Sequence, residues 1–96
     1  MFPSEKLHRM IPDQEFNRMR WASRRGMLEL DLVLEPFVSA CYRNLDADDR
    51  ARYQRLLECE DQELFGWFLR KEKPEDPELA AIVDTILSFI RNRPLD

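Results

Sequence analysis

The densest set of chemically unlike side chains lies in residues 24–31, which read Arg-Arg-Gly-Met-Leu-Glu-Leu-Asp. Two guanidiniums precede a glycine, two carboxylates follow it, and Trp21 lies just before the stretch. Aromatic rings, guanidiniums and carboxylates grouped around a turn are the side chains that anchor many protein interfaces. We therefore interpret this stretch as a surface that contacts another protein.

The same residues also have a purely structural interpretation. Gly26 can be the left-handed residue that ends a first helix, and Glu29 can accept a backbone N–H at the start of the second, as in a capping box. Arg24 and Arg25 would then be cations favoured by the helix dipole, and Asp31 a solvated acid in the first turn. Residue types alone leave both interpretations open.

A nucleic-acid interface is a further alternative. Arg18, Arg20, Arg24 and Arg25 together with Trp21 form a basic set with one ring that can stack on bases. Against this, 19 acids and 15 Lys and Arg residues give a net charge of −4, and two carboxylates stand directly beside the arginines. The composition therefore favours a protein partner.

Several kinds of site are excluded by the scarcity of their residues. Glycine occurs only at positions 26 and 66, so the chain has neither a P-loop nor a dinucleotide fingerprint. The chain has one histidine, His8, and two isolated cysteines, Cys41 and Cys59, which argues against a four-ligand zinc site and against a Cys-His nucleophile. We expect no catalytic residues, no metal, no cofactor of its own, and buried, reduced cysteines.

Length and composition indicate one soluble domain. The chain has 96 residues, 44% hydrophobic and 35% charged, which is typical of a helix-rich globular protein. No stretch approaches the roughly 18 apolar residues of a membrane span, and residues 1–12 lack the apolar segment of a signal peptide. These features predict a cytoplasmic protein.

Apolar spacing predicts five helices and an all-α fold, a compact antiparallel bundle in residues 13–92. The first helix is expected at 13–24 with Asp13 as its cap, and the second at 27–42. The third begins at Asp46, the fourth at Glu60, and the fifth at Asp76, which is followed by proline. Residues 1–12 are expected to form a flexible leader and residues 93–96 a short tail.

Two features of the second helix leave room for alternatives. Pro36 removes a backbone hydrogen bond, so we expect a kink or a break near residues 32–35. Leucines at 28, 30, 32 and 34 alternate with other residues as they would in a strand. A lone strand needs a partner, and no second alternating run exists, so a helix is the preferred interpretation.

Three segments together resemble the succinate dehydrogenase assembly factor family, which includes bacterial flavinylation factors and a mitochondrial relative. They are residues 25–31 (RGMLELD), 56–61 (LLECED) and 64–67 (LFGW). The resemblance extends over residues 16–90. The segment before residue 13 is longer than the corresponding segment of the shorter members of the family. The resemblance implies a small helical protein without a cofactor that binds the flavoprotein subunit of succinate dehydrogenase, and often that of fumarate reductase. It also implies that the protein promotes covalent attachment of the FAD held by that subunit.

The resemblance also implies the site. Arg25, Gly26 and Glu29 match the Arg-Gly-x-x-Glu motif of the family, with Trp21, Arg24 and Asp31 as its flanks. On this hypothesis Gly26 lets a partner backbone approach, Arg25 pairs with a partner carboxylate or carbonyl, and Glu29 makes a polar contact near the flavin. An antitoxin-like regulatory role, described for some members, is an alternative, and the oligomeric state is left open.

Overall fold

Five α-helices account for most of residues 12–92, the part of the chain that the computed structural model describes. A short 3-10 helix, Tyr42–Asn44, follows the second of them. The α-helices are α1 (Asp13–Ala22), α2 (Leu28–Cys41), α3 (Ala47–Leu57), α4 (Asp61–Leu69) and α5 (Pro77–Asn92). The prediction of an all-α fold with five helices is confirmed. The predicted leader covers residues 1–12 and the predicted tail residues 93–96, and all of these except Pro12 lie outside the described residues.

Helix α2 is the centre of the bundle, packing against α1, α4 and α5. Its inner face contributes Leu30, Leu34, Phe37 and Val38, all at most 1% exposed. Burying an aliphatic or aromatic side chain of this size stabilises a fold by roughly 1.5 to 3 kcal/mol. The remaining helices complete the core with Met19, Tyr53, Leu56, Leu57, Leu64, Phe68, Ile82, Val83 and Ile86.

The alternating leucines of α2 belong to a helix, and their pattern has a simple cause. Leu30 and Leu34 are fully buried, whereas Leu28 and Leu32 are 69% and 62% exposed. Each pair has the spacing i, i+4, so the two pairs lie on different faces of one helix. Helix α2 also continues through Pro36, so of the kink or break predicted near residues 32–35 the break does not occur. The carbonyl left without its N–H belongs to Leu32, on the exposed face, where water can bind it.

Local capping explains where three helices begin, as the sequence predicts. The Asp46 carboxylate accepts the Asp49 N–H at 2.7 Å, and the Asp76 carboxylate accepts the Glu78 N–H at 2.8 Å. Glu60 begins α4 with a reciprocal capping box. Helix α1 differs from the prediction because Pro12 precedes it and Asp13 makes no capping bond.

Two buried tyrosines carry the polar contacts of the core. The Tyr42 hydroxyl donates to Glu15 Oε2 at 2.6 Å and accepts from Gln54 Nε2 at 2.8 Å. Burial, with the neighbouring Glu15 carboxylate, raises the pKa of Tyr42 to about 12 from 10.0. Burial also raises the pKa of Tyr53. Both phenols are therefore neutral in the folded protein well above the pH at which an unfolded tyrosine ionises.

Stability is expected to fall between pH 10 and pH 12, because the unfolded chain loses the Tyr42 proton first. Below pH 10.0 both states hold that proton and its contribution is complete. Tyr42→Phe removes this contribution, so the difference between variant and wild type should shrink as the pH rises. Urea titrations at intervals from pH 9 to 12 measure it, and parallel profiles would contradict the assignment.

Candidate functional site

The segment between α1 and α2, residues 23–27, is called the junction below. Helix α1 ends at Ala22, earlier than the predicted residue 24. The next residue, Ser23, is held inside the protein by hydrogen bonds of its side chain. The Ser23 hydroxyl donates to the Met19 carbonyl at 2.7 Å and lies 2.6 Å from the Tyr53 hydroxyl. Ser23 is fully buried, so these bonds fix where the junction leaves the bundle.

Gly26 turns the junction into α2. Its φ is +82°, the left-handed region that favours glycine, and it lies on the exposed surface. It does not terminate α1, which ends four residues earlier, so that part of the structural interpretation is wrong. A Cβ built on Gly26 would meet no atom within 4 Å. The glycine is therefore required by backbone conformation, and the space above it is open.

Arg25 points into its own chain. Its guanidinium makes four hydrogen bonds, to Asp61 Oδ1 at 2.8 Å and to the carbonyls of Ala22, Leu57 and Cys59 at 3.2, 2.8 and 2.9 Å. The side chain is only 16% exposed. One side chain thus joins the end of α1 to the end of α3 and the start of α4.

This geometry changes the role expected for Arg25. The carboxylate and carbonyls with which it pairs belong to its own chain, not to a partner, in the free protein. Its guanidinium holds the junction in place. Any contribution of Arg25 to partner binding therefore remains a prediction, and the structure suggests that such a contribution is indirect.

The two carboxylates after Gly26 have exchanged their expected roles. Asp31 Oδ1 accepts the Arg25 backbone N–H at 2.7 Å, which closes the turn from inside. Glu29 was the expected capping residue, but the N-cap of α2 is Met27 and no side chain caps it. Glu29 is exposed and has no hydrogen-bond or ion-pair partner among the described residues. The capping-box interpretation of Glu29 is therefore wrong.

Trp21 and Arg24 lie on the outer surface beside the junction. Trp21 is 72% exposed, and the Arg24 guanidinium carbon lies 6.0 Å from the centre of its ring. Arg24 Nε is also 3.7 Å from Glu35 Oε2 on α2. The structure thus brings Trp21 and Arg24 together, as the sequence suggests, and adds Glu35.

Sequence reasoning missed Leu28, Leu32 and Asp61. The two leucines are exposed beside Gly26 and Glu29, and their spacing on α2 was the signal that could have found them. Asp61 is 36 residues from the arginine that it binds, and no local pattern connects the two.

Other kinds of site have little support in residues 12–92. No group of three or more His, Cys, Asp or Glu side chains is placed to hold a metal there. None of the helices in this part of the chain is long and apolar enough to cross a membrane. Cys41 and Cys59 are unpaired as predicted, yet they are half-buried, not buried. Burial raises the pKa of both thiols, so neither is an activated nucleophile.

The two glycines should respond differently to alanine. Gly26→Ala forces a side chain into the left-handed region and should cost about 1 to 2 kcal/mol. Gly66→Ala places a Cβ 2.3 Å from Glu72 Oε1, the movable end of an exposed side chain, and gains helix propensity of about 1 kcal/mol. Urea unfolding should therefore show Gly26→Ala below wild type and Gly66→Ala at or above it. The reverse order would contradict this account.

The chain as a whole was compared with known proteins. A family model described as flavinator of succinate dehydrogenase matches residues 17–90. The chain belongs to this family. The resemblance in residues 16–90 is thereby confirmed, and the junction and α1 to α5 all fall within or overlap the matched range.

Relatives of this family align along most of the chain. The FAD assembly factor SdhE of Pseudomonas aeruginosa is 51% identical over 82 residues, which cover 85% of this chain and 98% of that protein. The FAD assembly factor SdhE of Idiomarina loihiensis is 42% identical over 91 residues, covering 95% and 99%. The FAD assembly factor SdhE of Shewanella oneidensis is 56% identical over 66 residues, covering 69% and 80%.

Proposed function

We propose that this protein is an assembly factor that binds the flavoprotein subunit of succinate dehydrogenase and promotes its covalent flavinylation. The observation that carries the proposal is the family match over residues 17–90, together with relatives named FAD assembly factor. We extend the proposal to the flavoprotein subunit of fumarate reductase. The unpaired Cys41 and Cys59 suit a reducing compartment, and we propose the cytoplasm.

The junction and the first turn of α2 support this function through the groups that they expose. Gly26 leaves open space above the backbone, so a partner main chain can approach it closely. Glu29 is an exposed carboxylate without an internal partner, available for a hydrogen bond with another protein. Arg25 and Asp31 hold both residues in position from inside the bundle.

The assembly factor acts without catalysis of its own in this proposal. FAD is held by the partner, and flavin attachment is carried out by the flavoprotein. Binding energy can favour one conformation of the flavoprotein only if the assembly factor binds that conformation more tightly. We propose that the junction binds a conformation in which the FAD and its attachment site are correctly placed, with Glu29 near the flavin pocket.

Deleting the gene tests the proposal. The flavoprotein subunit is separated by denaturing electrophoresis, and the fluorescence of covalently bound flavin is measured in the gel. The signal should fall strongly in the deletion strain and return when the gene is supplied on a plasmid. Undiminished flavin fluorescence in the deletion strain would overturn the proposed function.

A further inference from the structure

The outer surface formed by α1, the junction and α2 carries most of the large hydrophobic side chains that are exposed in residues 12–92. Trp21, Leu28 and Leu32 are three of the four large hydrophobic side chains exposed within residues 12–92. Contiguous exposed apolar groups commonly mark interaction sites. We call this surface the α1–α2 face, and it comprises Arg20, Trp21, Arg24, Leu28, Leu32 and Glu35.

One stripe of α2 forms half of the face. Leu28, Leu32 and Glu35 are spaced i, i+4 and i+7, which places them on the same side of the helix. Glu35 reaches across to Arg24, which follows the end of α1, so the stripe borders the α1 side directly. Arg24 belongs both to the junction and to the α1–α2 face, so the two surfaces adjoin at this residue.

A small groove lies within the face. It has a volume of about 120 Å³ and is lined by Arg20, Trp21, Arg24 and Glu35, among others. Small-molecule sites usually occupy roughly 300 to 1,000 Å³, so this groove suits one side chain and not a cofactor. Its lining has two guanidiniums and one carboxylate, which favours a negatively charged side chain.

The Arg24 guanidinium has N–H donors available for a further partner. Its contact with Glu35 is long at 3.7 Å, and the two side chains are 60% and 43% exposed. A surface ion pair of this kind contributes little to stability. The guanidinium carbon also lies 6.0 Å from the centre of the Trp21 ring, and an exposed guanidinium of this kind can form a further, bidentate bond with a carboxylate.

We propose that the α1–α2 face is a second docking surface for the flavoprotein subunit, next to the junction. An acidic side chain of the flavoprotein enters the groove between Arg20 and Arg24, and apolar residues around it cover Trp21, Leu28 and Leu32. This inference rests on the proposed function and adds the chemistry of the segment that is bound. Aliphatic Leu28 and Leu32 and the Glu35 carboxylate fit a protein segment better than a phosphate backbone.

Binding to the purified flavoprotein subunit tests the inference by isothermal titration calorimetry. Arg24→Glu and Leu32→Ala should each weaken binding by about tenfold or more. Lys73→Glu changes the net charge by the same amount at an exposed loop position, and Leu69→Ala truncates the other strongly exposed leucine of residues 12–92. Both controls should bind within about twofold of wild type. Melting temperatures of all four variants show whether folding is preserved.

Each result has a defined meaning. If wild type binds and the folded Arg24→Glu and Leu32→Ala variants bind equally well, the second docking surface is wrong and the proposed function stands. If wild type does not bind the flavoprotein, both the second docking surface and the proposed function are wrong. A single-stranded oligonucleotide that displaces the flavoprotein from wild type but not from Arg24→Glu would assign the face to nucleic acid and overturn the inference. Sedimentation measures self-association of the chain. If wild type self-associates and the binding defect of the variants tracks the loss of that self-association, the α1–α2 face binds a second copy of the chain and the inference is overturned.

Discussion

Replacing Arg25 with alanine is expected to lower the free energy of unfolding by about 2 to 4 kcal/mol, more than the change expected for Gly26→Ala. The guanidinium makes four hydrogen bonds within the chain and is only 16% exposed. Alanine leaves the carbonyls of Leu57 and Cys59 without their charged donor and removes the ion pair with Asp61. Urea titration monitored by circular dichroism measures the change.

Arg24→Ala is the matched control, since it removes the neighbouring guanidinium. Arg24 is 60% exposed, its contact with Glu35 is long, and it lies against an exposed Trp21 ring, so its replacement should change stability by about 0.5 kcal/mol or less. Arg25→Lys should resemble Arg25→Ala, because one ammonium group cannot reach four acceptors arranged around a planar fork. Equal stability losses for Arg24→Ala and Arg25→Ala would contradict an internal role for Arg25.

This prediction changes how a flavinylation defect in an Arg25 variant should be interpreted. A loss of 2 to 4 kcal/mol is a large fraction of the roughly 5 to 15 kcal/mol that stabilises a small domain. Such a variant can lose activity because less protein is folded, with no contact to the flavoprotein removed. An arginine in an interface motif is therefore not evidence of direct contact until stability has been measured.

The parts of the fold that the sequence predicts are those set by local interactions. Asp46 and Asp76 bind backbone N–H groups two or three residues away, and Glu60 exchanges bonds with Glu63. A capping residue and the apolar spacing that follows it lie in the same short segment. Helix starts and the five-helix fold were predictable for this reason.

The internal bonds of the site were not predictable, because they join distant residues. Arg25 and Asp61 are 36 residues apart, and Ser23 and Tyr53 are 30 apart. Which groups meet depends on how the end of α1 packs against α3 and α4. The sequence identified the segment that carries the site, but the direction of the Arg25 side chain is a tertiary property.

The sequence also could not predict which of two nearby carboxylates, Glu29 or Asp31, bonds to the backbone of the turn. Glu29 and Asp31 are both acids in the first turn of α2, and both suit a helix amino terminus. The left-handed Gly26 folds the junction back so that the Arg25 N–H meets Asp31. A sequence pattern places both acids at the turn, and only the backbone path decides which one is left exposed.

Replacing Glu29 with alanine is expected to reduce flavinylation by about tenfold or more while leaving stability nearly unchanged. Glu29 is exposed and has no partner among the described residues, so its removal should cost only about 0.5 kcal/mol of folding free energy. A tenfold loss corresponds to about 1.4 kcal/mol of binding, the size of one good interface contact. Covalent flavin is measured in the denatured flavoprotein after complementation of the deletion strain with each variant.

Asp31→Ala should show the opposite behaviour and separates contact from capping. It removes the acceptor of the Arg25 N–H, so unfolding should become easier by about 0.5 to 2 kcal/mol, or several degrees in melting temperature. Glu58→Ala, at an exposed position after α3, controls for the loss of a surface carboxylate and should change neither flavinylation nor the melting temperature. A Glu29→Ala variant that melts as low as Asp31→Ala would show that Glu29 supports the fold. Full flavinylation with Glu29→Ala would remove Glu29 from the docking surface, leaving Gly26 and the α1–α2 face to carry it.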